Sequence, residues 1–178
     1  MAYDPAILDH LESLPTAQWR GIVYRYTASG RSHSKENTYG ARWNPRNVPA
    51  LYTALDRDTA LAELEHLLNT QPIPPTKAQF TLYQVETEVE KIVDLSEWTL
   101  LERLGINGGS ANTDSTACQQ LGGAIEWLKL GGALVPSLRR EEGINLVIYP
   151  MNQDPAFVFE VRQLETIAAS TLIHKKSD

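Results

Sequence analysis

The sequence predicts an α+β fold, a single domain over residues 1–178 in which mixed or antiparallel sheets carry flanking helices. Three observations predict it. Strand-like and helix-like runs follow one another irregularly, without the β-α-β alternation of a doubly wound parallel sheet. A chain of 178 residues fits one core of ordinary size. Composition keeps one regime throughout, 42% hydrophobic and 21% charged, with no internal repeat or low-complexity tract.

The elements follow in order. Residues 4–14 predict a short amphipathic helix: Asp4 caps it, Pro5 suits its first turn, and Ile7, Leu8, Leu11 and Leu14 line one face. GIVYRYT (21–27) predicts a strand, and the polar residues 28–47 a long loop of the length that is usually functional or disordered. ALYTAL (50–55) predicts a second strand. Asp56 or Asp58 then caps a helix running to about Asn69, which QPIPPT (71–76) ends. KAQFTLYQVETEV (77–89) and EKIVDLS (90–96) predict two strands, and SEWTLLERLG (96–105) a helix. INGGSANTDST (106–116) predicts a loop, and ACQQLGGAIEWLKLGG (117–132) a helix weakened by its glycine pair. ALVPS (133–137), GINLVIYP (143–150) and AFVFEVRQLE (156–165) predict closing strands.

Charge and composition exclude several functions. No apolar run approaches the roughly 18 residues that span a bilayer. The acidic start MAYDPAILDHLESL is unlike a signal peptide, and Cys118 stands alone, so a cytoplasmic protein without disulfides is expected. A net charge of -6 argues against a broad nucleic-acid surface. The charge is uneven, however. Between Trp19 and Arg57 lie seven basic residues and two acidic ones, a pattern that suits a small anionic ligand and is equally the pattern of a solvated basic loop. His10, His33, His66 and His174 are too dispersed for a local metal motif, so no metal is expected. Dinucleotide-fold, P-loop and serine-elbow motifs do not occur.

What remains is a polar set: Arg25, Tyr26, Arg42, Tyr52, Glu63 and Ser137. On a helical wheel Ala60, Leu61, Leu64, Leu67 and Leu68 form the apolar stripe. Glu63 lies about 100° from its centre, at the border, while His66 faces more nearly toward water. Each residue also has a plain structural reading: Glu63 as a solvated flank, the tyrosines as half-buried strand residues, Arg25 as an edge charge, Ser137 as a turn residue. Alone, these residues define an α+β domain with a basic pocket.

The blocks VYRY (23–26), GARWN (40–44), PALYTALDRDTALAE (49–63) and ALVPS…GINLVIYP (133–150) resemble the RES-domain family, bacterial toxins usually encoded beside an Xre-type helix-turn-helix antitoxin. The resemblance runs from about residue 20 to about 165, with residues 1–19 an N-terminal helical extension. The arginine, glutamate and serine for which the family is named correspond to Arg25, Glu63 and Ser137. Ala41 stands where the family commonly has a second glycine, which stiffens the loop.

The resemblance implies a fold similar to ADP-ribosyltransferase toxins. It also implies cleavage of the nicotinamide–ribose bond of NAD as a substrate, with no cofactor and with water or phosphate as acceptor. Some relatives instead transfer ADP-ribose to a protein, and a non-catalytic nucleotide-binding module is a third reading. NAD contacts carry over to Arg25, Tyr26, Arg42, Tyr52 and Ser137, with Asn145 a weaker candidate, and Glu63, Arg25 and Ser137 carry over as the catalytic residues. The implied partner is an Xre-type antitoxin, with homodimerisation a family expectation.

The chemistry needs such residues. Nicotinamide is cationic while attached and leaves neutral, so the bond breaks without a general acid, and positive charge moves onto the ribose. A carboxylate at Glu63 stabilises that charge. Guanidinium groups at Arg25 and Arg42 suit the pyrophosphate, and a tyrosine face at Tyr52 or Tyr26 suits the cationic ring. Ser137 suits a hydrogen bond to the amide or a ribose hydroxyl.

Overall fold

The computed structural model describes residues 3–107 and 115–174. In chain order the elements are α1 (Pro5–Ser13), β1 (Thr16–Ala28), β2 (Leu51–Ala54), α2 (Arg57–Asn69), β3 (Gln79–Asp94), α3 (Trp98–Arg103), α4 (Ser115–Trp127), β4 (Gly132–Pro136), β5 (Ile144–Ile148) and β6 (Phe159–Ala168). Short 3-10 turns follow β5 and β6. The architecture is α+β with a mixed sheet, as the sequence predicts.

The strands run in the order β1-β2-β5-β4-β3-β6, and an additional β1–β3 pairing closes the first five into a barrel. β3 and β4 pair in parallel and the other neighbours are antiparallel. All five barrel strands send apolar side chains to one interior cluster, including Val23, Leu51, Val85, Leu134 and Leu146. Alternate residues of β4 and β5, among them Val135 and Val147, pack outward with α1 and α4. This period-two alternation, buried on both faces, explains why ALVP and INLVI read as continuous apolar runs.

Several boundaries differ from the sequence expectation. The two strands expected over 77–96 are one, β3. The break expected near residue 90 is a bulge: Trp19 pairs with Val89 but Ala17 with Ile92, leaving an extra residue on β3, and Lys91 takes φ +51°. The chain bends there without leaving the sheet. β1 begins at Thr16, ahead of the expected Gly21, because its early residues pair with that same stretch of β3. The last strand is shifted to Phe159–Ala168, and α4 stops at Trp127. Most of the loop expected at 106–116 lies outside the described residues.

Candidate active site

A cleft of about 500 Å³ opens beside α2, where β1 and β2 part. The two strands share a single register pair, Tyr24 with Ala54. Beyond it Arg25 bridges the gap, with Nη1 donating to Tyr52 O at 3.3 Å and Nη2 donating to Lys35 O. The guanidinium thus ties the 29–50 loop to the barrel while lining the cleft. Burial lowers its pKa to about 10, against the pull of Tyr26 and Glu36, so it remains cationic at neutral pH.

The loop itself is stitched by Arg42-Trp43-Asn44. Trp43 is buried and its carbonyl accepts from Tyr149 Oη at 2.8 Å. Asn44 is fully buried and donates to Asn37 O (3.1 Å) and Val48 O (2.8 Å). Its Oδ1 accepts from Tyr52 Oη at 2.7 Å, and that phenol oxygen accepts from Trp43 N–H at 2.9 Å. Arg42 is left to line the cleft. The tight entry to this tripeptide uses Gly40 at φ +92°, whereas Ala41 has no positive φ, so its side chain adds no backbone strain.

α2 presents the carboxylate. Asp56 caps the helix, accepting from Thr59 N–H at 2.8 Å and Thr59 Oγ1 at 2.7 Å. Thr59, Ala60, Leu64 and Leu68 form the buried face. Leu67, expected in the stripe, is 41% exposed and lines the cleft instead. Glu63 lies at the border between the two and faces the cleft. His66 is half-buried rather than turned to water. Its pKa is lowered by burial and then by Arg139 and Arg42, with Glu63 opposing.

Glu63 Oε1 accepts from Ser137 Oγ at 2.7 Å and from Asn145 Nδ2 at 2.9 Å. Among the described residues Oε2 receives no hydrogen bond, which leaves it as the oxygen available to a ligand. The two donors come from neighbouring strands: Ser137 follows the last residue of β4, and Asn145 sits on β5 opposite Val135. The turn between them closes through Ser137 N–H to Gly143 O at 2.7 Å.

The structure therefore brings Glu63, Arg25, Tyr26, Arg42, Tyr52 and Asn145 to one cleft lining. Ser137 is 7% exposed and lies behind Glu63, where it holds the carboxylate. Tyr52 lines the cleft while its hydroxyl is engaged with the loop. Tyr26 packs edge-on to Phe80 at 6.3 Å. Burial, and then the Glu63 charge, raise its phenol well above the usual range, so it stays neutral.

The sequence reading missed Arg139, which lines the cleft beside the matched serine. The available signal was its place in SLRR, on the turn that Ser137 opens.

The RES domain family profile matches residues 17–170. This chain belongs to the RES domain family. Toxin Res of Yersinia enterocolitica is 30% identical over 140 residues, covering 76% of this chain and 84% of that relative. NAD(+) phosphorylase MbcT of Mycobacterium tuberculosis is 27% identical over 160 residues, covering 85% and 84%. The RES fold is shared with the crystal structure of the M. tuberculosis MbcT–MbcA toxin–antitoxin complex, at TM-score 0.74 and 23% identity over 96% of this chain and 97% of that one.

Proposed function

We propose that this chain is the toxin of a toxin–antitoxin pair and cleaves the nicotinamide–ribose bond of NAD. The observation that carries the reading is Glu63, held through one oxygen by Ser137 and Asn145, in a cleft lined by Arg25, Arg31, Lys35, Arg42 and Arg139. A fixed carboxylate stabilises the cation that develops on the ribose as the C–N bond breaks and its electron pair returns to the pyridinium nitrogen. Cations of β1 and the following loop supply charge for the pyrophosphate. The cleft volume suits a small-molecule ligand, and Tyr26 or Tyr52 offers a face worth roughly 0.5–2 kcal/mol to a cationic ring.

The kinship with a protein named NAD(+) phosphorylase supports the activity, and that with a toxin–antitoxin complex supports a protein antitoxin. The reading includes an Xre-type partner, a homodimer, a cytoplasmic location, one domain over residues 1–178 and an ADP-ribosyltransferase-like fold. Among the described residues no helix is long and apolar enough to cross a membrane.

Incubation of the purified protein with NAD tests the reading. Nicotinamide release is expected, and it falls by at least about 100-fold in Glu63→Gln, with NAD affinity nearly unchanged, since the isostere keeps both acceptor bonds and loses the charge. Equal turnover by both proteins would remove this mechanism. A labelled protein in place of free nucleotide would make the activity protein ADP-ribosylation.

A further inference from the structure

The 29–50 loop holds a large ring out to water. Tyr39 is 80% exposed, yet it lines the same cleft as Glu63. Among the described residues its hydroxyl makes no hydrogen bond and its ring no ring contact. Its backbone, by contrast, is fixed on both sides. Asn37 N–H donates to Ala50 O at 2.8 Å and Ala50 N–H donates back to Asn37 O at 3.0 Å. Asn47 N–H donates to Thr38 O at 2.9 Å, and Ala41 N–H donates to Asn44 O at 3.0 Å. Tyr39 N–H itself donates to Asn37 Oδ1 at 2.9 Å. A ring left in water forgoes the burial that ordinarily stabilises it, while the loop already bears the cost of ordering its backbone. An anchored, unpartnered ring on a cleft is a preorganised face for a flat ligand group.

The order of groups in the ligand identifies that group. In NAD they run nicotinamide, ribose, pyrophosphate, ribose, adenine. Glu63, on α2, marks the nicotinamide ribose. The cations Arg31, Lys35 and Arg42 come from the loop that carries Tyr39, and they suit the pyrophosphate. Adenine then falls beyond the phosphates, on the loop side. The other aromatic rings of the lining, Tyr24, Tyr26, Trp43, Tyr52 and Phe80, are half-buried or buried. Tyr39 is the exposed one. We propose that Tyr39 stacks on the adenine of NAD and makes the site prefer a dinucleotide to a mononucleotide carrying the same scissile bond. This rests on the NAD-cleaving reading above. Adenine takes no part in bond cleavage, so the contact is equal in ground and transition states and acts on KM rather than on kcat.

Two measurements on the full chain test this. In binding titrations ADP-ribose, which carries the adenine and lacks the scissile bond, is expected to bind Tyr39→Ala roughly 5- to 150-fold more weakly than wild type, the usual worth of a base–aromatic stack. Tyr39→Phe keeps the face and loses only the hydroxyl, so it is expected to stay within about twofold of wild type. In steady-state kinetics Tyr39→Ala is expected to raise KM for NAD by a similar factor at unchanged kcat. KM for nicotinamide mononucleotide, which has the same bond and no adenine, moves less than about twofold. The preserved kcat also reports that the variant is folded. An equal rise for both substrates would make Tyr39 a support of the loop and overturn the proposal. So would an unchanged affinity of Tyr39→Ala for ADP-ribose, or a loss in Tyr39→Phe as large as in Tyr39→Ala. Absence of any nicotinamide release by wild type would instead fail the NAD-cleaving reading, with the ADP-ribose titration still deciding for or against the adenine contact.

Discussion

At the scale of single residues, the site turns on how one carboxylate is held. Glu63 receives two donors on one oxygen, and the donors have few other duties. Ser137 is the exception, since it also accepts from Arg139 N–H. Ser137→Ala therefore removes one donor from the carboxylate and leaves that amide unpaired. We expect kcat to fall about 10-fold with a smaller change in KM for NAD, because a lost bond to a charged group costs on the order of 1.5–3 kcal/mol where the carboxylate works. An unaltered kcat would show that Asn145 alone suffices. The residue scale was also where the sequence was most legible. Arg25, Arg42 and Glu63, singled out from it, all line the cleft. What the sequence could not disclose is that Arg25 donates to two backbone carbonyls, or that Ser137 sits behind the acid. Both are facts of long-range placement, between residues 74 positions apart in the second case.

At the scale of elements, α4 corrects a propensity argument. Its glycine pair weakens the isolated helix, yet Gly122 is where α4 meets the Arg42-Trp43-Asn44 loop. A Cβ there would lie 1.8 Å from Trp43 O and 2.9 Å from Tyr149 Oη. Propensity alone would have Gly122→Ala stabilise the protein by about 1 kcal/mol. Packing predicts the opposite sign, a loss of about 1–3 kcal/mol read as a lower Tm, because a backbone carbonyl cannot yield as a side-chain tip can. Gly123→Ala is the control. The three atoms nearest its Cβ would all belong to the Tyr3 side chain, which can move aside, so its Tm should change far less. If both variants behave alike, steric contact is not what keeps Gly122.

The cap of α2 gives a second test at this scale. Burial alone would raise the Asp56 pKa, but the Thr59 hydrogen bonds and the Arg140 charge bring it below the ordinary value. A depressed carboxylate contributes stability above its unfolded pKa and loses it as pH falls through the folded one. Asp56→Ala should thus cost about 0.5–2 kcal/mol near neutrality. The gap between mutant and wild type should narrow as pH drops below about 4. A gap that stays constant under acid would mean that the cap acts without its charge. Element boundaries were less legible than element types. The Lys91 bulge resembles a strand end in sequence, since only pairing with β1 carries the chain through it.

On the scale of the molecule, an acidic chain surrounds a cleft with five basic side chains against two acidic ones. Such a field draws small anions inward and keeps long polyanions off the outer surface. KM for NAD should rise about threefold or more when salt goes from about 0.1 M, where screening extends about 10 Å, to about 1 M, where it extends about 3 Å. The chemical step should respond less, since the carboxylate acts at contact range. A salt-independent KM would mean that shape, not charge, captures the ligand. Overall topology was legible only as a class. Barrel closure depends on β1 finding β3, and pairing between segments some sixty positions apart leaves no local mark in the sequence.

The order in which the carboxylate and its two donors leave the ribosome has a biological edge. Glu63 is synthesised before Ser137 and Asn145, which follow it by 74 and 82 residues and meet it only once β4 and β5 are seated. A nascent or truncated product ending before them carries the acid without its clamp. Under the proposed activity, the acid is therefore clamped only after synthesis has passed Asn145.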